Sequence, residues 1–192
     1  MTKIVGVGLG KTGTTSLGAA CRILGLSHKT HDPALFDALH RGAKQSCLDE
    51  IGRFESFEDF PWNILYRDID RLYPGSLFIL TLRRDPETWY RSLCAHWERT
   101  GNSIAKRHAY GHMSPIGERD YHVALYEQHT ADVRAWFADR PGQLLTVCWE
   151  NGDGWEELCA FLSRPLPRRA FPHANRTPPR GVAADNTERR HA

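Results

Sequence analysis

The sequence predicts an α/β protein, a three-layer α/β/α arrangement around a central parallel sheet. Three observations predict it. Short apolar runs at 4–7, 76–82 and 144–148 alternate with longer segments of helical periodicity, an order that calls for a parallel sheet with crossover helices on both sides. The run Ser76-Leu77-Phe78-Ile79-Leu80-Thr81-Leu82 is almost continuously apolar, as strands buried on both faces are. The first run leads through glycines 8, 10 and 13 directly into a helix, a strand-loop-helix unit that presents an anion site at the carboxyl end of a sheet.

Composition bounds the rest. With 192 residues, 41% of them hydrophobic and 25% charged, one folded domain is expected over residues 1–176, followed by an Arg- and Pro-containing tail, 177–192, read as disordered. A net charge of +2 supplies no global basic field, so bound anions are expected rather than nucleic acid. The five cysteines, odd in number and without C-x-x-C spacing, argue against a disulfide framework and against zinc; they read as reduced core thiols of a cytoplasmic protein. No apolar run is long enough to span a membrane.

In chain order, Leu17, Ala20, Cys21 and Leu24 share one helical face, with Gly25 as the stop. Residues 27–32 are polar and carry His28 and His31, and 26–31 contain no apolar second strand. Asp32-Pro33 caps and opens a second helix through Leu39. The segment 54–62 alternates aromatic and polar residues, with Glu58 and Asp59 near its end, and Pro61 closes it. A helix is predicted over 63–72, a turn at Tyr73-Pro74-Gly75, then the strand 76–82. Asp85 caps the next helix at Pro86, which runs through Trp89, Ser92, Leu93 and Trp97. Residues 100–119 lack periodicity and read as a mobile loop or lid. A long helix over 121–138, a strand over 144–148 and a helix over 154–162 complete the domain.

The glycine loop admits three readings. A nucleotide-triphosphate loop, G-x-x-x-x-G-K-[ST], needs glycine where Val5 stands. The dinucleotide fingerprint fits Gly8, Gly10 and Gly13, with Asp32 at the distance of a ribose-binding acid, but lacks the apolar second strand that delivers such an acid. In the third reading Lys11-Thr12-Gly13-Thr14-Thr15-Ser16 resembles the 5′-phosphosulfate-binding loop of sulfotransferases. Arg84 at a strand end, with Ser92 eight residues later, is similar to the pair that holds the 3′-phosphate of the donor in that family. Phe57-Glu58-Asp59-Phe60-Pro61-Trp62, Tyr73-Pro74-Gly75-Ser76, 140–145, 154–162 and 171–175 resemble further landmarks of one sulfotransferase branch. The chain departs from it in having Leu9-Gly10 before the lysine and no arginine-lysine-glycine signature near the end. Arg168, Arg169, Arg176 and Arg180 are the candidates to replace that signature.

The resemblance implies a P-loop NTPase-like sheet and transfer of a sulfonate group from 3′-phosphoadenosine-5′-phosphosulfate to a small acceptor, with no metal. Gly10, Lys11, Thr12, Gly13, Thr14, Thr15, Ser16, Arg84 and Ser92 would bind the donor. Lys11 would also neutralise charge on the leaving bisphosphate. Asp59 is the expected base, with Glu58, His28 and His31 as substitutes. Thr14, Thr15 and Ser16 also read as helix-capping hydroxyls, Arg84 as a salt-bridge partner of Asp85 or Glu87, and Arg83 and Arg91 as surface charges. A kinase or other nucleotide-phosphate enzyme, and a non-catalytic binding protein on the same fold, are the competing readings. A homodimer is allowed as a partner state.

Overall fold

The computed structural model describes residues 2–174. The tail expected over 177–192, with Asn175, Arg176 and Arg180, lies outside the described residues. Five strands, β1 (Ile4–Gly6), β2 (His28–Lys29), β3 (Ser56–Phe57), β4 (Leu77–Thr81) and β5 (Leu144–Val147), form one all-parallel sheet in the order β2-β3-β1-β4-β5. The helices among the described residues are α1 (Thr14–Ile23), α2 (Pro33–His40), α3 (Lys44–Ile51), α4 (Tyr66–Leu72), α5 (Pro86–Thr100), α6 (Ile104–Tyr110), α7 (Arg119–Trp136) and α8 (Trp155–Leu162).

The period-2 alternation of strands sorts the core into layers. Val5, Phe57, Phe78 and Leu80 face α3, α4 and α7, packing on Ile51, Ile69, Val133 and Phe137. Ile4, Ile79 and Val147 face the opposite way, onto Leu17 and Cys21 of α1 and Leu158 and Leu162 of α8. A third cluster, rich in aromatics, sits beyond the carboxyl ends of the strands and joins α2, α5, α6 and α7 through Phe36, Phe60, Trp89, Trp97, Tyr110 and Tyr126. The chain leaves β1 toward one edge of the sheet and leaves β4 toward the other, so the β1 and β4 ends flank a switch point, where open sheets place ligands.

Four local expectations change. His28–Lys29 is a strand despite its polarity, because it lies at the sheet edge with β3 as its one neighbour and its His28 Nδ1 pairs with Ser56 Oγ at 2.8 Å. The helix read over 63–72 starts at Tyr66. The residues before it form a tight turn around the cis Phe60-Pro61 bond, with the Asn63 amide donating to the Asp59 carbonyl at 3.1 Å. The helix α3 went unread, since its exposed polar face leaves Cys47 and Ile51 as its buried residues. Within the supposed loop 100–119 lies α6, capped by Ser103, whose side chain accepts from the Lys106 amide at 3.2 Å, and ended by Gly111 at φ 81°.

Candidate active site

The loop after β1 is held from behind. Its carbonyls accept hydrogen bonds from side chains of several other elements. His129 of α7 reaches Val7 at 2.7 Å, Asn63 reaches Gly8 at 3.3 Å, and Trp89 of α5 reaches Gly10 at 3.0 Å. Arg83 reaches Lys11 at 3.1 Å and Trp149 reaches Gly13 at 3.2 Å. Thr12 Oγ1 donates to the Leu9 carbonyl at 2.7 Å and meets Thr81 Oγ1 of β4 at 2.6 Å. With the carbonyls turned outward, the amides of Gly10, Lys11, Gly13, Thr14 and Thr15 have no acceptor among the described residues, and these same residues line a cavity. Unpaired amides at the start of α1, added to its dipole, make a cradle for an oxyanion.

Two glycines allow this close packing. A Cβ on Gly8 would lie 2.5 Å from the Thr81 carbonyl oxygen, and one on Gly13, at φ 96°, 2.4 Å from the Trp149 ring. Gly13 is also the N-cap of α1, so the capping role read for Thr14, Thr15 and Ser16 falls away. Thr14 and Thr15 line the cavity; Thr12 and Ser16 do not. Thr12 stitches the loop to β4, and the Ser16 hydroxyl accepts from the Ala174 amide at 3.0 Å.

The cavity measures about 770 Å³ and runs from the cradle to the aromatic cluster, where Phe36, Phe60, Trp97 and Tyr110 wall it. Lys11 is in its wall. Burial, and then the Arg99 charge, hold the Lys11 ammonium below its ordinary value, while Asp59 pulls the other way. Asp59 also lines the cavity, close to the cradle: its carboxylate oxygens lie 3.6 and 3.8 Å from where a Gly10 Cβ would be, with Tyr110 Oη 2.5 Å from the same point. Burial pushes the Asp59 carboxyl up, and the neighbouring Glu58 charge adds to that; the Phe60 amide, donating to Oδ1 at 2.8 Å, opposes it.

The substitutes for Asp59 divide. Glu58 and His28 are buried together, 3.8 Å apart and away from the cavity, with Glu58 bonded to Thr30 and held below its ordinary value by His28, Thr30 and Thr14 against the cost of burial. His31 lines the cavity, and its Nδ1 donates to the Phe60 carbonyl at 3.0 Å, which leaves Nε2 as the basic nitrogen.

Ser92 lines the cavity and Arg84 does not. The Arg84 side chain is 58% exposed, its Nε 3.3 Å from Thr88 Oγ1 and 3.5 Å from Asp85, and its terminal nitrogens make no hydrogen bond among the described residues. Its neighbour Arg83, read from sequence as a surface charge, is in the cavity wall. It is bound to Glu150 at 2.7 Å and to the loop carbonyl of Lys11. The sequence reading also missed His96, Arg99 and Tyr110. Their signal was present: His96 and Arg99 follow Ser92 by four and seven residues, one helical face. The dinucleotide reading loses its acid, because Asp32 caps α2 by accepting from the Leu35 amide at 3.0 Å and pairs with Lys29 at 2.9 Å.

Among the described residues no group of three or more His, Cys, Asp or Glu is placed to hold a metal, and no helix is long and apolar enough to cross a membrane. An amide cradle with a lysine opens at a switch point onto a walled pocket with a buried carboxyl, an arrangement with room and charge for a phosphate-like anion beside a second molecule. Residues 3–178 match the sulfotransferase domain family, and the chain belongs to it. The chain is also similar to Ava biosynthesis cluster protein M of Aspergillus versicolor, 26% identical over 212 residues that cover 89% of this chain and 80% of that protein. A sulfotransferase-type function follows from the family.

Proposed function

We propose that the protein transfers a sulfonate group from 3′-phosphoadenosine-5′-phosphosulfate to a hydroxyl or amine of a small acceptor. The observation that carries this reading is the set of five free amides facing the same cavity as Lys11 and Asp59. The cradle fits the 5′-phosphate of the donor, and Ser92, with the uncommitted end of Arg84, fits its 3′-phosphate. The aromatic end receives the acceptor, and the relative's name, a biosynthesis cluster protein, favours a small molecule.

In the transfer, the acceptor oxygen or nitrogen forms a bond to sulfur as the bond from sulfur to the phosphate oxygen breaks. Lys11 and the loop amides neutralise the charge that grows on the departing phosphate, an effect worth about 3–4 kcal/mol for a single well-placed donor. Asp59 takes the acceptor's proton, and it does so from its ionised form. Because burial raises its pKa, the rate is expected to rise with pH through a value above the ordinary carboxylate range.

Calorimetric titration with 3′,5′-adenosine bisphosphate, with ATP plus Mg²⁺ and NAD as controls, tests the donor assignment without knowledge of the acceptor. Selective binding of the bisphosphate, weakened by Arg84→Ala and by removal of the 3′-phosphate, is the expected result. Preference for ATP with Mg²⁺, indifferent to the 3′-phosphate, would replace this reading with a kinase.

A further inference from the structure

One end of the cavity carries charge that the transfer chemistry leaves unused. Helix α5 contributes Ser92, His96 and Arg99 to the wall from one face, and Lys106 joins them from α6. Arg83, in the same wall, is neutralised by Glu150. Arg99 is not: it makes no hydrogen bond and no ion pair among the described residues, and Lys106 has no carboxylate partner among them either. The Lys106 ammonium donates to Thr100 Oγ1 and to the Gly101 carbonyl and lies 4.7 Å from the centre of the Trp97 ring, partners that bind it without cancelling its charge.

His96 marks where these charges converge. Its Nδ1 is buried without a hydrogen-bond partner. Burial first, and then the charges of Lys11, Lys106 and Arg99, hold the imidazole at about 4. Among the described residues Asp59 is the one acid in the cavity wall, and burial disfavours its ionisation. A cavity whose wall carries Arg99 and Lys106 without a carboxylate partner among the described residues, besides the Lys11 that the transfer uses, is arranged for more negative charge than the two phosphates near the loop and Ser92 bring to it.

We propose that Arg99 and Lys106 form a second oxyanion subsite, in the wall of the same cavity as the amide cradle, which takes a carboxylate carried by the acceptor. A guanidinium offers a planar fork that matches a planar carboxylate, and the Trp97 ring, beneath the Lys106 ammonium and in the same wall, fits an aromatic or unsaturated acid. The acceptor is thus a compact hydroxy- or amino-acid-type molecule with its anionic end on α5 and α6 and its nucleophile toward Asp59. This rests on the sulfonate-transfer reading for what fills the remainder of the cavity.

The test is calorimetry on the full chain, with and without saturating 3′,5′-adenosine bisphosphate. 4-Hydroxybenzoate is the probe; its neutral counterpart 4-hydroxybenzamide and inorganic sulfate are the comparisons. The expected result is a preference of about tenfold or more for 4-hydroxybenzoate over the amide, abolished in Arg99→Gln and Lys106→Gln. Both variants should hold bisphosphate affinity within about threefold, since neither residue belongs to the cradle. Arg99 is exposed and makes no hydrogen bond among the described residues, so its replacement leaves folding intact. Equal binding of the two phenols, absence of binding by both, or a preference that survives both substitutions would overturn the subsite. Sulfate that displaces 4-hydroxybenzoate and binds as tightly would give the subsite to the sulfonate and overturn the acceptor assignment. Failure of the bisphosphate alone would sink the transfer reading, and the titrations without it would still decide the subsite.

Discussion

Lys11 and Asp59 share a backbone peculiarity: both are non-glycine residues in the left-handed region, at φ 77° and 67°. Such conformations persist where surrounding contacts over-determine them, and they concentrate at working sites. Lys11→Ala is expected to lower the transfer rate by about 10²–10³ while thermal unfolding shows the fold intact. Asp59→Asn has two consequences of opposite sign. Activity should fall and its rise with pH should vanish. Stability should increase at neutral pH, because a carboxyl whose folded pKa is raised lends stability below its unfolded value of 3.8 and loses it as pH climbs through the folded one. Thermal melts of both proteins from pH 3 to 8 check this: the variant melts higher at pH 7 and the gap closes in acid. The loop lysine was readable because its spacing from a strand and a helix is itself a chemical statement. Arg83 was not, since two adjacent arginines differ only in which way the strand end turns them.

At the scale of elements, the cradle depends on neighbours more than on itself. Gly8→Ala would drive a methyl group into the Thr81 backbone and is expected to cost about 3 kcal/mol or more in urea unfolding. Trp149→Phe keeps most of the buried ring but removes the indole bond to the Gly13 carbonyl, which retains the Ser16 and Leu17 amides, so about 0.5–1.5 kcal/mol of stability should be lost, with bisphosphate affinity falling alongside. What Trp89, Trp149 and His129 hold is not legible in the sequence, because period and hydrophobicity report burial, not what an indole N–H or ring nitrogen reaches. For the same reason α6 was invisible: seven residues carry caps but no stripe long enough to register a period.

Across the whole molecule, the layer order and the parallel sheet were open to reading, since apolar runs and helical periods are local signals. The cavity was not. It joins the β1 loop, the turn at Asp59 and the face of α5, segments that only the sheet topology brings together. Helix α6 closes its far side between Gly101 at φ 66° and Gly111 at φ 81°. Bisphosphate is expected to slow amide hydrogen exchange across 101–111 more than in the strands, measured by mass spectrometry, and equal slowing throughout would deny α6 a closing role.

The tethers behind the glycine loop reach from Asn63 to Trp149 along the chain. The loop's shape is therefore a property of the assembled protein and not of the dozen residues that trace it. Transplanting residues 5–17 onto another parallel sheet would move the letters of the motif and leave its grip behind, unless an indole, an imidazole and a carboxamide were installed with them. A protein engineer wanting this cradle elsewhere would have to carry over its scaffolding first.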